Sequence, residues 1–342
     1  RTDLMKPYTK FSTPLLIGLP LLIAANLTGC ESMQGVFSPP KPEGLNTRVY
    51  SANESSNTVT VMDGDSYQVL GEIDTLNYGP HDLALSRDGK QLWVTNLANG
   101  RVTVIDTESR KPVASIYTGT RAHVVALTNN NKHAWVANIT DNTISIIDTT
   151  IYRILGTIPV SKGPMGIAFS RDGKFAYVST QDKMVNVIDT TAHQVIKQIP
   201  VGPNPHFLTL GPDGRIWGTN TGSNDLYVID PATNEIAATI EVGPAPQQIA
   251  FALKGTAGPN AYVTVTGLNK VVVVNATSPT LSIREQIDVG EGPNGIWANA
   301  VGTTIYVGHT KSNNVMVIDT GTSQVSATLP VGKKPIRVVA SR

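Results

Sequence analysis

From residue 48 onward the apolar positions fall in short runs rich in Val, Ile and aromatics, each bounded by Gly, Pro, Asn or Asp. Runs of this length with such boundaries predict β-strands, and no part of 48–342 sustains the spacing of an amphipathic helix. One stretch shows the order of parts: 81–86 reads as strand A, 87–90 as a turn, 91–95 as strand B, 101–105 as strand C and 112–117 as strand D.

The same order recurs along the chain. Strand C ends at Asp63, Asp106, Asp148, Asp189, Asp230, Asn275 and Asp319, at intervals of 43, 42, 41, 41, 45 and 44 residues. A period in the low forties with four strands per unit is the repeat length of a propeller blade. B strands begin near Arg48, Leu92, Ala134, Ala176, Ile216, Ala261 and Ile305; A strands begin near His81, His123, Met165, His206, Gln247, Asn294 and Ile336. Both sets number seven, but the series starts with a B strand and ends with an A strand. The segment 336–341 is therefore expected to pair with the first B strand, complete the first blade and remove the open edge between the chain ends. The predicted fold is an all-β, seven-bladed propeller of four antiparallel strands per blade, occupying residues 48–342.

The strands Trp93-Val94-Thr95-Asn96, Trp135-Val136-Ala137-Asn138 and Tyr177-Val178-Ser179-Thr180 share a pattern. With them go Val-Ile-Asp strand ends, Asp-Gly turns and the Val-Gly-x-x-Pro turns at 201–205 and 331–335. Together they resemble the YVTN family of seven-bladed β-propellers. That resemblance implies the fold and a place among surface-layer, periplasmic and redox-associated proteins.

The segment before the repeats has a different character. Met5 to Lys10 is basic, 14–25 is apolar and interrupted by Pro14 and Pro20, and Leu27-Thr28-Gly29-Cys30 follows. A short apolar core with these flanks reads as an export signal, being too short for a bilayer-crossing helix. Residues 1–4 precede the Met5 start and carry no function in this reading. The tetrapeptide ending at Cys30 resembles a bacterial lipobox, which implies a signal peptide over 1–29 and a lipid on Cys30 that holds the protein to a membrane. Glu31, rather than Asp, after that Cys implies the outer membrane facing the periplasm. Residues 30–47, with Ser38-Pro39-Pro40-Lys41-Pro42, read as an extended tether.

Composition removes several function classes. Among 342 residues, 27 Lys and Arg face 26 Asp and Glu, and loss of 1–29 would leave 24 against 25. A neutral body lacks the field that brings proteins onto double-stranded nucleic acid. A single Cys excludes an internal disulfide and Cys-rich metal sites, so a metal would need His, Met, carboxylate or amide ligands. The Asp residues ending strand C recur once per blade before turn residues, which assigns them to turns rather than catalysis. Gly290-Glu291-Gly292-Pro293-Asn294-Gly295 fits a dinucleotide motif in form, yet no helix follows it, so it reads as the turn into a strand. Trp93, Trp135 and Trp217 occupy equivalent places and read as packing between blades.

Histidines break the repeat. The first residue of the inner strand, near the channel mouth, is His81, His123, Met165, His206, Gln247, Asn294 and Ile336 around the ring, and His309 replaces the Asn that ends other B strands. His81, His123, Met165, His206 and His309 are thus expected on one rim. Imidazole with thioether suits copper, and imidazole with water suits zinc; hydrogen bonding that merely caps the channel is the alternative. The architecture also resembles the haem-binding domain of dissimilatory nitrite reductase and the copper propeller of nitrous oxide reductase, which implies a haem-type cofactor as a further option ranked behind the metals. The chain lacks the seven-His set of the latter and has seven repeats where the former has eight. Arg121, Lys162, Lys333, Lys334 and Arg337 are expected on the same rim, where with Gln247 and Asn294 they would meet an anionic ligand, a peptide or single-stranded nucleic acid. Three functions follow in order: a binding or scaffolding module using this top face for a protein or small molecule, a metal- or haem-dependent redox protein, and a structural protein of the cell envelope.

Overall fold

The computed structural model describes residues 47–277 and 280–341. The chain divides into units at 1–43 and 44–342. The signal over 1–29, Cys30 and the tether apart from Thr47 lie outside the described residues. Among the described residues no helix is long and apolar enough to cross a membrane.

The described residues form seven four-stranded antiparallel sheets. The inner strands are β4 (Pro80–Leu85), β8 (Ala122–Leu127), β12 (Pro164–Phe169), β16 (Pro205–Leu210), β20 (Pro246–Lys254), β24 (Pro293–Ala298) and β28 (Pro335–Ala340). Six blades run consecutively outward from β4, β8, β12, β16, β20 and β24. The remaining blade has the order β28, β1 (Arg48–Asn53), β2 (Thr58–Asp63) and β3 (Gln68–Asp74). The closure expected from the strand count is therefore present: β28 pairs with β1 through Val49↔Ala340, Tyr50↔Val339 and Ser51↔Val338. Gln91–Asn96 (β5), Arg101–Asp106 (β6) and Lys111–Tyr117 (β7) match the predicted strands to within a residue at either end.

Packing of blade on blade explains the composition of the strands. In β6 only the two end residues are partly exposed, whereas β7 alternates between exposed and half-buried residues. A strand with a neighbouring blade on each side cannot alternate polar and apolar, and the outermost strand can. The cores lie between blades. Trp93, Val102 and Val104 pack with Val125, Ala134 and Val136 of the next blade. Tyr306, Val315 and Val317 pack with Val49, Met62 and Val338, so the seam where the chain ends meet has a core like the others. Trp93, Trp135 and Trp217 are buried in these layers, as their repeated position implied. The Asp residues ending strand C are turn organisers; Asp189 Oδ1, for example, accepts the Thr191 and Ala192 amides at 2.8 Å each.

Candidate functional site

Each inner strand enters the channel through an irregularity. In β4 the register against β5 shifts between Pro80 and Asp82, and comparable shifts occur at the start of β12, β16, β20 and β24. A hydroxyl on the second strand spans the gap. Thr95 Oγ1 accepts the Asp82 amide at 2.9 Å and donates to the His123 carbonyl of the next blade at 2.8 Å. Ser179, Thr219 and Thr264 repeat this bridge to His206, Gln247 and Asn294. Each bond contributes on the order of 1 kcal/mol net, and together they fix the height of the mouth residues from blade to blade. The loops above are clamped as well: Asn57, Asn142, Asn269 and Asn313, all at positive φ, accept amides of Gly79, Gly163, Gly292 and Lys334 through Oδ1.

Three of the predicted histidines come together at the mouth. His81 Nε2 and His123 Nε2 are 3.0 Å apart, and the His206 ring stands edge-on to His123 with centroids 5.6 Å apart. His81 Nδ1 meets Glu54 Oε2 at 2.7 Å, and His123 Nδ1 meets the Met165 carbonyl at 3.1 Å. Glu54, on the loop after β1, also pairs with Lys334. Burial alone would push the Glu54 carboxyl up, but His81 and Lys334 outweigh it and hold it at about 2. Burial, followed by the neighbouring charge of His81, pulls His206 down to about 4. Burial also holds His123 well below the usual imidazole range, with His81 and His206 adding to the effect.

Other predicted residues are placed differently. Met165 contributes its carbonyl, while its sulfur lies 3.6 Å from Gln181 Nε2. His309 does not join the group: it is fully buried at the end of β25 (Thr304–His309), one strand out from the channel, against Gly290. The side chains of Gln247 and Asn294 face each other at 3.5 Å. Arg121, Lys162, Lys333 and Lys334 are exposed on the loops. Among the described residues, no group of three or more His, Cys, Asp or Glu is arranged to hold a metal ion.

Arg337 is a correction. Instead of lying on the rim, it is 8% exposed and crosses the channel axis. Its Nη1 donates to Gln248 Oε1 at 2.6 Å, and its guanidinium lies over Phe207 at 5.0 Å and Trp297 at 5.5 Å. Nε is 3.1 Å from Asp82 Oδ1, a charge contact rather than an aligned hydrogen bond, and Asp82 Oδ2 accepts the Val125 amide at 3.0 Å. Burial pushes the Asp82 carboxyl up and the Arg337 guanidinium down, and the opposite charge of each pulls the other back. Gly295 makes room for this strand: a Cβ there would sit 2.7 Å from the Ile336 carbonyl and 2.8 Å from Arg337 Cα.

Beyond Arg337 the channel widens into a funnel of about 410 Å³, opening among the turns at 86–89 and 128–131. Its wall includes Ala84, Ala126, Ala168, Phe169, Leu210 and Trp297, with Asp82 and Arg337 at its inner end. Sequence reasoning missed Glu54, Asp82, Gln248 and the funnel. The signal was available in the column of residues next after the mouth position, which reads Asp82, Val124, Gly166, Phe207, Gln248, Gly295 and Arg337 and holds one acid and one base. Two positions further, Ala84, Ala126, Ala168 and Ala250 are small where a filled channel would need bulk.

Residues 114–215 match the family model described as YNCE-like beta-propeller. No curated protein matches the chain. Among solved structures, hydrazine synthase from Kuenenia stuttgartiensis is similar at 21% identity, with TM-score 0.72, over 85% of this chain and 99% of that one. A putative 6-phosphogluconolactonase from Bacteroides fragilis is similar at 14% identity, with TM-score 0.74, over 89% and 100%. The dihydro-heme d1 dehydrogenase NirN, solved in complex with DHE, is similar at 16% identity, with TM-score 0.64, over 90% and 78%. At these identities the likeness is one of fold. The matched stretch lies within a closed ring of seven four-stranded blades, and the chain is a seven-bladed β-propeller, part of which resembles that family.

Proposed function

We propose that this propeller is a binding module that receives a small molecule with both an apolar body and polar groups in the funnel of its channel. The observation that carries the reading is the cavity of about 410 Å³ whose wall joins alanines, Phe169, Leu210 and Trp297 to polar Ser86, Asp88, Thr128 and Asn129, with one buried charged pair at its inner end. Small-molecule sites combine apolar walls with polar groups that orient the ligand and have volumes of roughly 300–1,000 Å³; this cavity falls within that range and is richer than most in polar groups. The enzymes among the similar structures share the fold and lend no residue to this site.

An anilinonaphthalene sulfonate, an apolar aromatic body with one anionic group, is a suitable probe for fluorescence titration of the full chain. Saturable binding is expected, weakened about tenfold or more when Ala126→Leu and Ala168→Leu fill the funnel, since bulk there displaces the ligand from its wall. Absence of binding, or binding unchanged in a filled variant that unfolds at the same temperature, would sink the reading.

A second reading, docking of a protein partner on the face that carries the histidines, is favoured by Leu76 and Tyr78. They stand 70% and 64% exposed on the loop leading to His81, and Leu76 is held at positive φ. Exposed large apolar side chains on a fixed loop are the usual anchors of such a contact. Either use is compatible with tethering through a lipid on Cys30 at the periplasmic side of the cell envelope. Cys30→Ala is expected to move the protein from the membrane to the soluble fraction on ultracentrifugation; unchanged sedimentation with membranes would rule the tether out.

A further inference from the structure

The contact that closes the channel mouth has a shortage of positive charge. His81 Nδ1 faces a carboxylate oxygen of Glu54, and His123 Nδ1 faces the Met165 carbonyl oxygen. Neither oxygen has a proton to give, so each Nδ1 must be the donor. A neutral imidazole carries one N–H. Both Nε2 atoms are then bare lone pairs, and they point at each other across 3.0 Å. Two lone pairs at that separation repel, so with both rings neutral the arrangement is complete only with a cation between them: a proton, which makes one ring an imidazolium donating to the other, or a metal ion.

We propose that His81 Nε2 and His123 Nε2 are two ligands of a borderline-soft transition-metal ion of the zinc or copper class, held between adjacent blades at the mouth of the channel. Zinc–imidazole bonds of about 2.0–2.1 Å at a tetrahedral angle put two nitrogens ~3.3–3.4 Å apart, so the rings need to part by only a few tenths of an ångström. The second partners fit as well. Ligating histidines characteristically donate their other N–H to a carboxylate or backbone carbonyl, which fixes tautomer and ring orientation, and here Glu54 and Met165 supply one of each. His206 stands next to the pair, and its Nδ1 has no hydrogen-bond partner. His309, in its separate buried position, is not a ligand.

Two protein ligands leave coordination positions open, so the ion would take further donors from water or from a molecule docking on this face. This site is distinct from the funnel, and its test is independent of any ligand there.

The test uses the full chain, freed of metal with a chelator and titrated with zinc(II) or copper(I) alone in competition with a chelating indicator. One ion per chain is expected. His81→Gln and His123→Gln should each lose stoichiometric binding, while His309→Gln should retain it. Glu54→Gln, which alters only a positioning residue, should weaken binding by ~10–100-fold. Because a histidine variant can fail to fold, the wild-type protein supplies a second reading: metal should shift the ¹⁵N resonances of both Nε2 atoms and leave both Nδ1 protonated. The proposal is overturned if neither metal binds, if binding is the same in His81→Gln and His123→Gln, or if the ¹⁵N spectrum shows the pair sharing a proton and unmoved by metal.

Discussion

Asp82→Ala is expected to destabilise the propeller by about 3–5 kcal/mol, the usual cost of leaving one member of a buried ion pair behind. At roughly 2–4 °C per kcal/mol for a domain somewhat smaller than this one, the thermal midpoint should fall by about 10 °C. Arg337 would keep its charge in a channel where Gln248 is its remaining polar partner and Phe207 and Trp297 cover its faces. The Val125 amide would lose its acceptor at the same time. The pair Asp82→Leu with Arg337→Met should recover most of the loss, because apolar side chains of similar volume remove both desolvation penalties together. Calorimetry on the two single variants and the double completes a cycle. A midpoint within about 2 °C of wild type for Asp82→Ala would mean that the axis is wet and that the two charges are solvated rather than paired.

Removing residues 335–342 should abolish cooperative unfolding altogether. All six residues of β28 are buried. The strand supplies the inner edge of the first blade and completes the core between Tyr306, Val317 and Val49. Ile336, Val338 and Val339 alone represent about 1.5–3 kcal/mol each of apolar burial, against a total stability of about 5–15 kcal/mol for a typical domain. The truncated chain would also present the edge of β1 for pairing with other molecules. A circular permutant separates loss of the strand from loss of chain continuity. Ser341 N donates to the Arg48 carbonyl at 2.8 Å and Arg48 N donates to Ser341 Oγ at 2.8 Å, so a short linker from 342 to 47 with new ends between Leu76 and Asn77 should fold with a sharp transition. A truncated chain that still unfolds cooperatively near the wild-type midpoint would show that the ring does not depend on its closing strand.

The fold was legible because face-to-face packing of blades leaves a repeated trace. Strands buried on both sides must be apolar throughout, and turns must recur at one interval, so periodicity alone gave the blade count and the offset between the chain ends. The histidine group was legible in part. The column of first residues correctly brought His81, His123 and His206 together, because equivalent positions in a ring are neighbours. Arg337 was misplaced for a definite reason: the register shift at the start of the inner strand, seen here between Ala52 and Asn53 opposite Arg337 and Pro335, turns the next side chain into the channel instead of leaving it on the loop. A count of alternating residues contains no sign of that shift. His309 was misplaced because sharing a loop face with the other histidines says nothing of radial distance, and the second strand lies beneath the rim rather than on it. Glu54 was invisible because its role depends on a contact 27 residues away in sequence, between two loops of unremarkable composition.

The first described strand enters its blade in the second position, flanked by β28 on one side and β2 on the other. Tension drawn along the chain from its N-terminal side therefore cannot peel an edge strand away one hydrogen bond at a time. It loads two ladders at once and along their length, so that all their bonds must give together. A module held by that end would keep its ring intact under pull, with its mechanical strength residing in the same seam that closes the circle.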